Sequence, residues 1–234
     1  MKTSELLAYL RAAYIDLRLF ATGKAERGLP PMRLRMDVGH GDFRSIGAAS
    51  RKLLIRHGLQ PNDRVLDIGS GIGRVAIPLT EYLSREGSYE GFDVIGRWVR
   101  WCRRNITPVH PHFRFTHVRV SNSHYGRGGV DPSQFRFPYP DASFDFAFAM
   151  SVFTHMTLDG VRNYIAEAHR VLRPGGTLVA SFFFAEKDLR DVVLNFTVDR
   201  GSYRLLSEDD PDWAIAFDPS MVDEFQDIVV VRKT

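Results

Sequence analysis

The residues in this chain whose types and spacing could do chemistry are two carboxylates and a set of glycines. Asp67 stands two places before Gly69 in VLDIGSGIGRVA (residues 65–76), and Asp93 closes the next apolar run, SYEGFDV. The glycines follow the pattern Gly69-x-Gly71-x-Gly73, between an apolar run and the start of a helical pattern. Such a turn lets a ligand reach backbone N–H groups at a helix start. A dinucleotide site asks for G-x-G-x-x-G, so that a pyrophosphate can settle there. Here Arg74 takes the place of the third glycine, and the Asp67 carboxylate would repel a pyrophosphate. The lysine of a nucleoside-triphosphate loop is also absent, which argues against ATP or GTP.

S-adenosylmethionine suits these residues better. It carries no phosphate, and its ammonium is a match for Asp67. The glycines let the backbone approach the methionine portion. A carboxylate at Asp93 can accept from both ribose hydroxyls, a feature that dinucleotide sites share. The competing reading makes the glycines a tight turn and Asp93 a helix cap. Agreement of acid, glycine spacing and second acid within one strand–helix–strand unit favours the ligand.

Other titratable groups are less specific. His155, in SVFTHM, follows an apolar strand pattern and is the candidate catalytic base; the bland alternative is a histidine satisfied at a helix start. His110, His112 and His117 cluster in sequence, but no cysteine or paired acid completes a metal set, so no metal site is expected. Asp141 and Asp145 in PDASFD read as turn residues rather than a catalytic pair. The stretch SNSHYGRGGVDPSQFRFPYP (residues 121–140) is long for a connection, and His124, Tyr125, Arg127 and Phe135 make it a candidate acceptor wall, against a reading as plain surface.

The elements that must position these groups follow from periodicity. Leu6, Leu7, Leu10, Ala13, Tyr14 and Leu17 mark an amphipathic helix over residues 4–20, with Ser4 as N-cap. Tyr9, Tyr14 and Phe20 on that helix are expected to pack into the core, with a lid over the ligand mouth as the alternative. A linker (21–31) and a second helix (44–57) follow. Strands are then expected at 64–69, 88–94, 112–120, 144–152 and 177–184, alternating with helices at 73–83, 97–105 and 158–172. The last helix should end at RPGG, and Trp98 and Trp101, on the helix after the second strand, should serve packing, with a place near the cofactor as the alternative for Trp98. This alternation predicts an α/β fold: a doubly wound, mostly parallel sheet with helices on both faces and an N-terminal helical extension. The expected division is residues 1–58 as extension or lid and 59–234 as the ligand-binding domain. Ligands in such folds sit beyond the carboxyl ends of the strands.

Bulk composition sets outer bounds. At 234 residues and 44% hydrophobic content the chain can bury a sizeable core. A single cysteine, Cys102, excludes an internal disulfide and points to a reducing, cytoplasmic setting. No apolar run is long enough to span a bilayer, and charges at Glu5, Arg11, Asp16 and Arg18 argue against a signal peptide. The net charge of +3 is spread among acids, so a nucleic-acid partner is disfavoured.

The segments VLDIGSGIGR, EGFDV, FDFAFAMSVFTHM and AHRVLRPGGTLVASFFF, in that order, resemble the class I S-adenosylmethionine-dependent methyltransferases. Phrases such as FRFPYPDASFDF and SVFTHM look closest to a bacterial group of small methyltransferases. The resemblance is dense over residues 64–184. It implies a Rossmann-like methyltransferase fold with S-adenosylmethionine as cofactor. By position it implies Asp67, Gly69, Ser70 and Gly71 around the methionine moiety and Asp93 on the ribose. It further implies Val94, Val120 and Ser121 at the adenine, and Ser151 and Phe153 beside the transferable methyl. Two departures stand out. Arg119 occupies a place where similar enzymes often have an acid that accepts from the adenine amino group, which leaves backbone groups or Asn122 to substitute. The tail is also short: residues 217–225 cannot hold both a helix and a further strand before QDIVVVRKT. Either GSYRLLSEDDPDWAIAF substitutes, or the sheet is incomplete, or the segment is missing from the chain.

Three function classes follow. The first is methyl transfer to a small-molecule acceptor, an O- or N-methylation of a sugar, lipid or secondary metabolite. The second is a binding or regulatory protein of the same fold without turnover, motivated by Arg119 and the short tail. The third, a nucleic-acid methyltransferase, lacks the Asn-Pro-Pro-Tyr or Asp-Pro-Pro-Tyr signature for base amines.

Overall fold

The computed structural model describes residues 3–24, 26, 28–36, 41–121, 128–153, 156–182, 203–207 and 227–233. Two N-terminal helices, α1 (Thr3–Ala21) and the single turn α2 (Met32–Arg35), precede a longer α3 (Phe43–Arg56). Then come β1 (Arg64–Ile68), the short α4 (Ala76–Leu79), β2 (Ser88–Asp93), α5 (Gly96–Asn105), β3 (Phe113–His117), β4 (Phe144–Ala149), α6 (Leu158–Val171), β5 (Leu172–Phe182), β6 (Tyr203–Ser207) and β7 (Asp227–Lys233). The strands form one sheet in the order β3-β2-β1-β4-β5-β7-β6. Strands β1 to β5 pair in parallel, and β7 runs antiparallel between β5 and β6.

Side-chain alternation along the strands feeds a core on each face. Leu66, Ile68 and Phe92 point to one side, where Val161, Tyr164, Ile165 and Ala168 of α6 cover them. Val65, Tyr89, Phe113 and Phe146 point to the other, against Leu53 and Leu54 of α3 and Val99 and Cys102 of α5. Trp98 is buried and Trp101 packs beside it, as their helical positions predict.

Several expected elements differ in detail. The helix expected at 73–83 is α-helical only over Ala76–Leu79. Gly73 has φ +81°, outside the helical range, and Pro78 has no N–H to donate to a preceding turn. The third strand stops at His117, with Val120 joined to Val130 through one isolated bridge. The fourth strand stops at Ala149, because Ser151 takes φ +56° and turns the chain. The RPGG segment does not separate α6 from β5. It lies inside β5 as an irregularity, between the pairs Phe144–Leu172 and Phe146–Thr177.

Two further expectations are corrected, and one set of alternatives is decided. Tyr9, Tyr14 and Phe20 on α1 are exposed rather than packed, Phe20 to 79%. Among the described residues of α1 the small Ala12 is the buried one, and Asp16 fastens the helix by accepting from Met32 N (2.5 Å) and Arg33 N (3.2 Å). Asp145 is not a turn residue. It sits in β4 and accepts from Arg64 N (2.7 Å), Arg64 Nε (3.0 Å) and Nη2 (3.2 Å), and from Arg173 Nε, so it ties the starts of β1 and β4 to the β5 irregularity. Burial alone would raise its pKa, but these bonds outweigh burial and hold the carboxyl at about 2. The short tail does not leave the sheet incomplete. Tyr203–Ser207, within the segment proposed as a substitute, forms β6 on the edge beside β7. The side chain of Ser4, expected as an N-cap, lies outside the described residues.

Candidate cofactor site

The site lies at the carboxyl ends of β1, β2 and β4. Strand β1 sits between β2 and β4, so the chain leaves it in one direction and later returns on its other side. A crevice opens at such a switch point. The turn after β1 is pinned to the end of β2. Gly69 N (3.0 Å) and Ser70 N (2.9 Å) both donate to Phe92 O, and Gly71 N donates to Asp93 Oδ2 (2.8 Å). Gly69 needs to be glycine on two counts: its φ is +77°, and a Cβ there would lie 2.5 Å from Val152 Cγ2. Ile72, fully buried with Phe43, Ile95 and Trp98, anchors the turn from below.

Asp93 is buried and its two oxygens are already engaged once each. Oδ2 takes Gly71 N, and Oδ1 takes Ile95 N (2.7 Å). Burial raises its pKa, and the backbone bonds work against that rise. A carboxylate offers about four lone-pair positions, so acceptor capacity toward the crevice remains.

Asp67 is buried on the α5 side of the sheet, where Tyr89 Oη donates to its Oδ2. Burial pushes its carboxyl up to about 8, the tyrosine bond opposes this, and the nearby Asp93 charge adds to it. Cys102 lies beneath, its thiol donating to Gly71 O at 3.9 Å. Burial, then the charges of Asp67 and Asp93, push that thiol well above its ordinary value, so it stays protonated and unreactive. Ser70 is buried, and its Oγ has no hydrogen-bond partner among the described residues.

The remaining sequence-derived candidates fall around this rim. Val94 is half-buried against Phe43, Ile95 and Trp98. Val120 is buried, and Ser121 N donates to Val130 O (2.9 Å). Ser151 N donates to Ser181 Oγ (2.7 Å), which fastens the turn after β4 to β5. Phe153 is buried against α6. Arg119 is exposed, and its carbonyl accepts from Val130 N (3.0 Å). His155, Asn122, His124, Tyr125 and Arg127 lie outside the described residues. Phe135 is half-buried and packs against Phe92, Phe137 and Tyr164. Among the described residues no group of three or more metal-ligating side chains comes together. Sequence reasoning missed Tyr89, Val152 and Ser181. Their parts depend on contacts between neighbouring strands and turns, and no local pattern marks them.

A family model described as a methyltransferase domain matches residues 66–180. A demethylmenaquinone methyltransferase of Tropheryma whipplei is 27% identical over 172 residues, 67% of this chain and 62% of that protein. A sterol 24-C-methyltransferase of Schizosaccharomyces pombe is 27% identical over 150 residues, 61% of this chain and 33% of that protein. The chain thus spans less than two thirds of the length of these relatives. Among solved structures, an S-adenosylmethionine-dependent methyltransferase from Aquifex aeolicus superposes with a TM-score of 0.60 at 16% identity, covering 88% of this chain and all of that one, which is a likeness of fold. Glycine turn, paired acids, strand order and family match agree on a methyltransferase domain at residues 66–180, and together they support S-adenosylmethionine as its methyl donor.

Proposed function

We propose that the chain transfers a methyl group from S-adenosylmethionine to the oxygen or nitrogen of a small-molecule acceptor. One observation carries the reading: two buried acids, Asp67 and Asp93, end adjacent parallel strands and flank a glycine turn that is hydrogen-bonded to one of them. Burying two carboxylates this close is costly unless a partner compensates. An ammonium for Asp67 and a pair of hydroxyls for Asp93 would do so, and the unpartnered Ser70 Oγ adds a further polar atom toward the methionine portion.

The donor supplies an already activated methyl, so the chain's work is alignment and exclusion of water. Asp93, fixed by two backbone N–H groups, orients the ribose. Val94 and Val120 present apolar surface to the adenine, and the backbone at Ser121 substitutes for the acid that Arg119 replaces. Ser151 and Phe153 border the reacting methyl. His155 is the proposed base for a hydroxyl acceptor. The acceptor belongs with sugars, lipids or secondary metabolites, in keeping with relatives named for a sterol and for demethylmenaquinone. Residues 1–58 act as a cover over residues 59–234, since α3 leans directly on the turn: a Cβ on Gly47 would run into Arg74 O. The proposed setting is the cytoplasm; among the described residues no helix is long and apolar enough to cross a membrane. The non-enzymatic alternative loses one of its two supports now that β6 completes the sheet edge.

Calorimetric titration with S-adenosylmethionine, S-adenosylhomocysteine and NAD tests the reading. Binding of the first two and not the third is expected. Binding of NAD alone, or of none of them, would overturn it.

A further inference from the structure

Tyr89 is one of the groups in the site that sequence patterns do not predict. It lies on β2 opposite Val65, one pleat before Gly91, which is itself opposite Asp67. Its ring is fully buried and stacks on Phe113, with ring centroids 4.8 Å apart. From there the phenol reaches across the strand pair to Asp67 Oδ2. The reach depends on Gly91. A Cβ at that position would lie 3.0 Å from Tyr89 Cε1 and 2.8 Å from Ser70 Cβ, so the missing side chain makes room for both the tyrosine ring and the glycine turn.

We propose that Tyr89 is a positioning residue for cofactor recognition: by holding Asp67 Oδ2 it fixes the carboxylate's orientation and leaves Oδ1 to face the ammonium of S-adenosylmethionine. This rests on the reading of Asp67 as the ammonium partner. The chemistry supports a one-way role. Burial, then the Asp67 charge, push the phenol well above its ordinary value, so Tyr89 remains a donor and favours the ionised carboxylate that a cation needs. The other titratable groups coupled to Asp67 are Asp93 at the end of β2, Cys102 on α5 and Tyr139 ahead of β4. None of these is shown donating to Asp67 among the described residues.

The test compares two ligands across three variants. S-adenosylhomocysteine carries the ammonium; methylthioadenosine keeps the nucleoside and thioether but lacks it. Tyr89→Phe should weaken S-adenosylhomocysteine about tenfold, the scale of one charge-assisted hydrogen bond, and leave methylthioadenosine within about twofold. Asp67→Asn should show the same selectivity, and Tyr89→Phe added to Asp67→Asn should cost little more. If Asp67→Asn weakens S-adenosylhomocysteine and Tyr89→Phe does not, the positioning role is wrong and the Asp67 reading stands. If Asp67→Asn has no selective effect, both fall. Equal weakening of both ligands by Tyr89→Phe would mean a packing role only, and would also overturn the proposal.

Discussion

At the residue scale, Asp67 sets stability against binding. Its carboxyl is raised to about 8 in the folded chain, mainly by burial, against about 3.9 when unfolded. The folded state therefore holds a proton that the unfolded state gives up in between. This contribution to stability is fully present below pH about 4 and is lost as pH rises through about 8. Asp67→Asn should remove that loss. In urea titrations of the free protein the variant should match wild type near pH 4 and exceed it at pH 7. The ceiling on that gain is about 4 kcal/mol, at about 1.36 kcal/mol per pKa unit. A wild-type stability as flat with pH as the variant's would contradict the burial of this acid. The acid and the glycines were legible in sequence because their relation is local, within a few residues of one turn. Tyr89 was not, because its bond to Asp67 depends on the β1–β2 register and on the empty place at Gly91.

At the element scale, α3 presses on the turn it supports. Helix propensity favours Gly47→Ala by about 1 kcal/mol. The added Cβ would meet Arg74 O, a backbone atom that cannot swing away, and overpacking of this kind costs about 1–3 kcal/mol. Gly47→Ala should therefore lower the denaturation midpoint; a rise would mean the helix stands further off. Helices α3, α5 and α6 were legible within about one residue, since each shows an apolar face at helical spacing. The extent of α4 was not, because Gly73 and Pro78 override the apolar pattern around them. Periodicity in α1 identified a helix but not what its apolar face meets, and that face is exposed.

At the scale of the whole molecule, the parallel half of the sheet announces itself through strands alternating with helices, while its antiparallel edge does not. β6 is five residues in a polar stretch and gains strand character by pairing with β7. β7 in turn is inserted between β5 and β6, and its Val230 is fully buried against the α3–α5 side of the core. Lys233 donates to His169 O (2.8 Å) and Leu172 O (2.7 Å), so the last strand also caps α6. Val230→Ala should cost about 2 kcal/mol in chemical denaturation, in line with a methyl-deleting change at a core position. No measurable loss would mean that β7 is peripheral to the fold.

The account turns on Asp93. It joins the turn to β2 through Gly71 N, accepts from Ile95 N at the start of α5, and keeps acceptor capacity for ribose hydroxyls. The most direct test is titration of wild type and Asp93→Ala with S-adenosylhomocysteine, alongside thermal unfolding of each. Loss of two charge-assisted hydrogen bonds predicts binding at least about 100-fold weaker, with a cooperative unfolding transition retained at a somewhat lower temperature. Wild-type affinity in the Asp93→Ala variant would contradict the assignment of this crevice as the cofactor site.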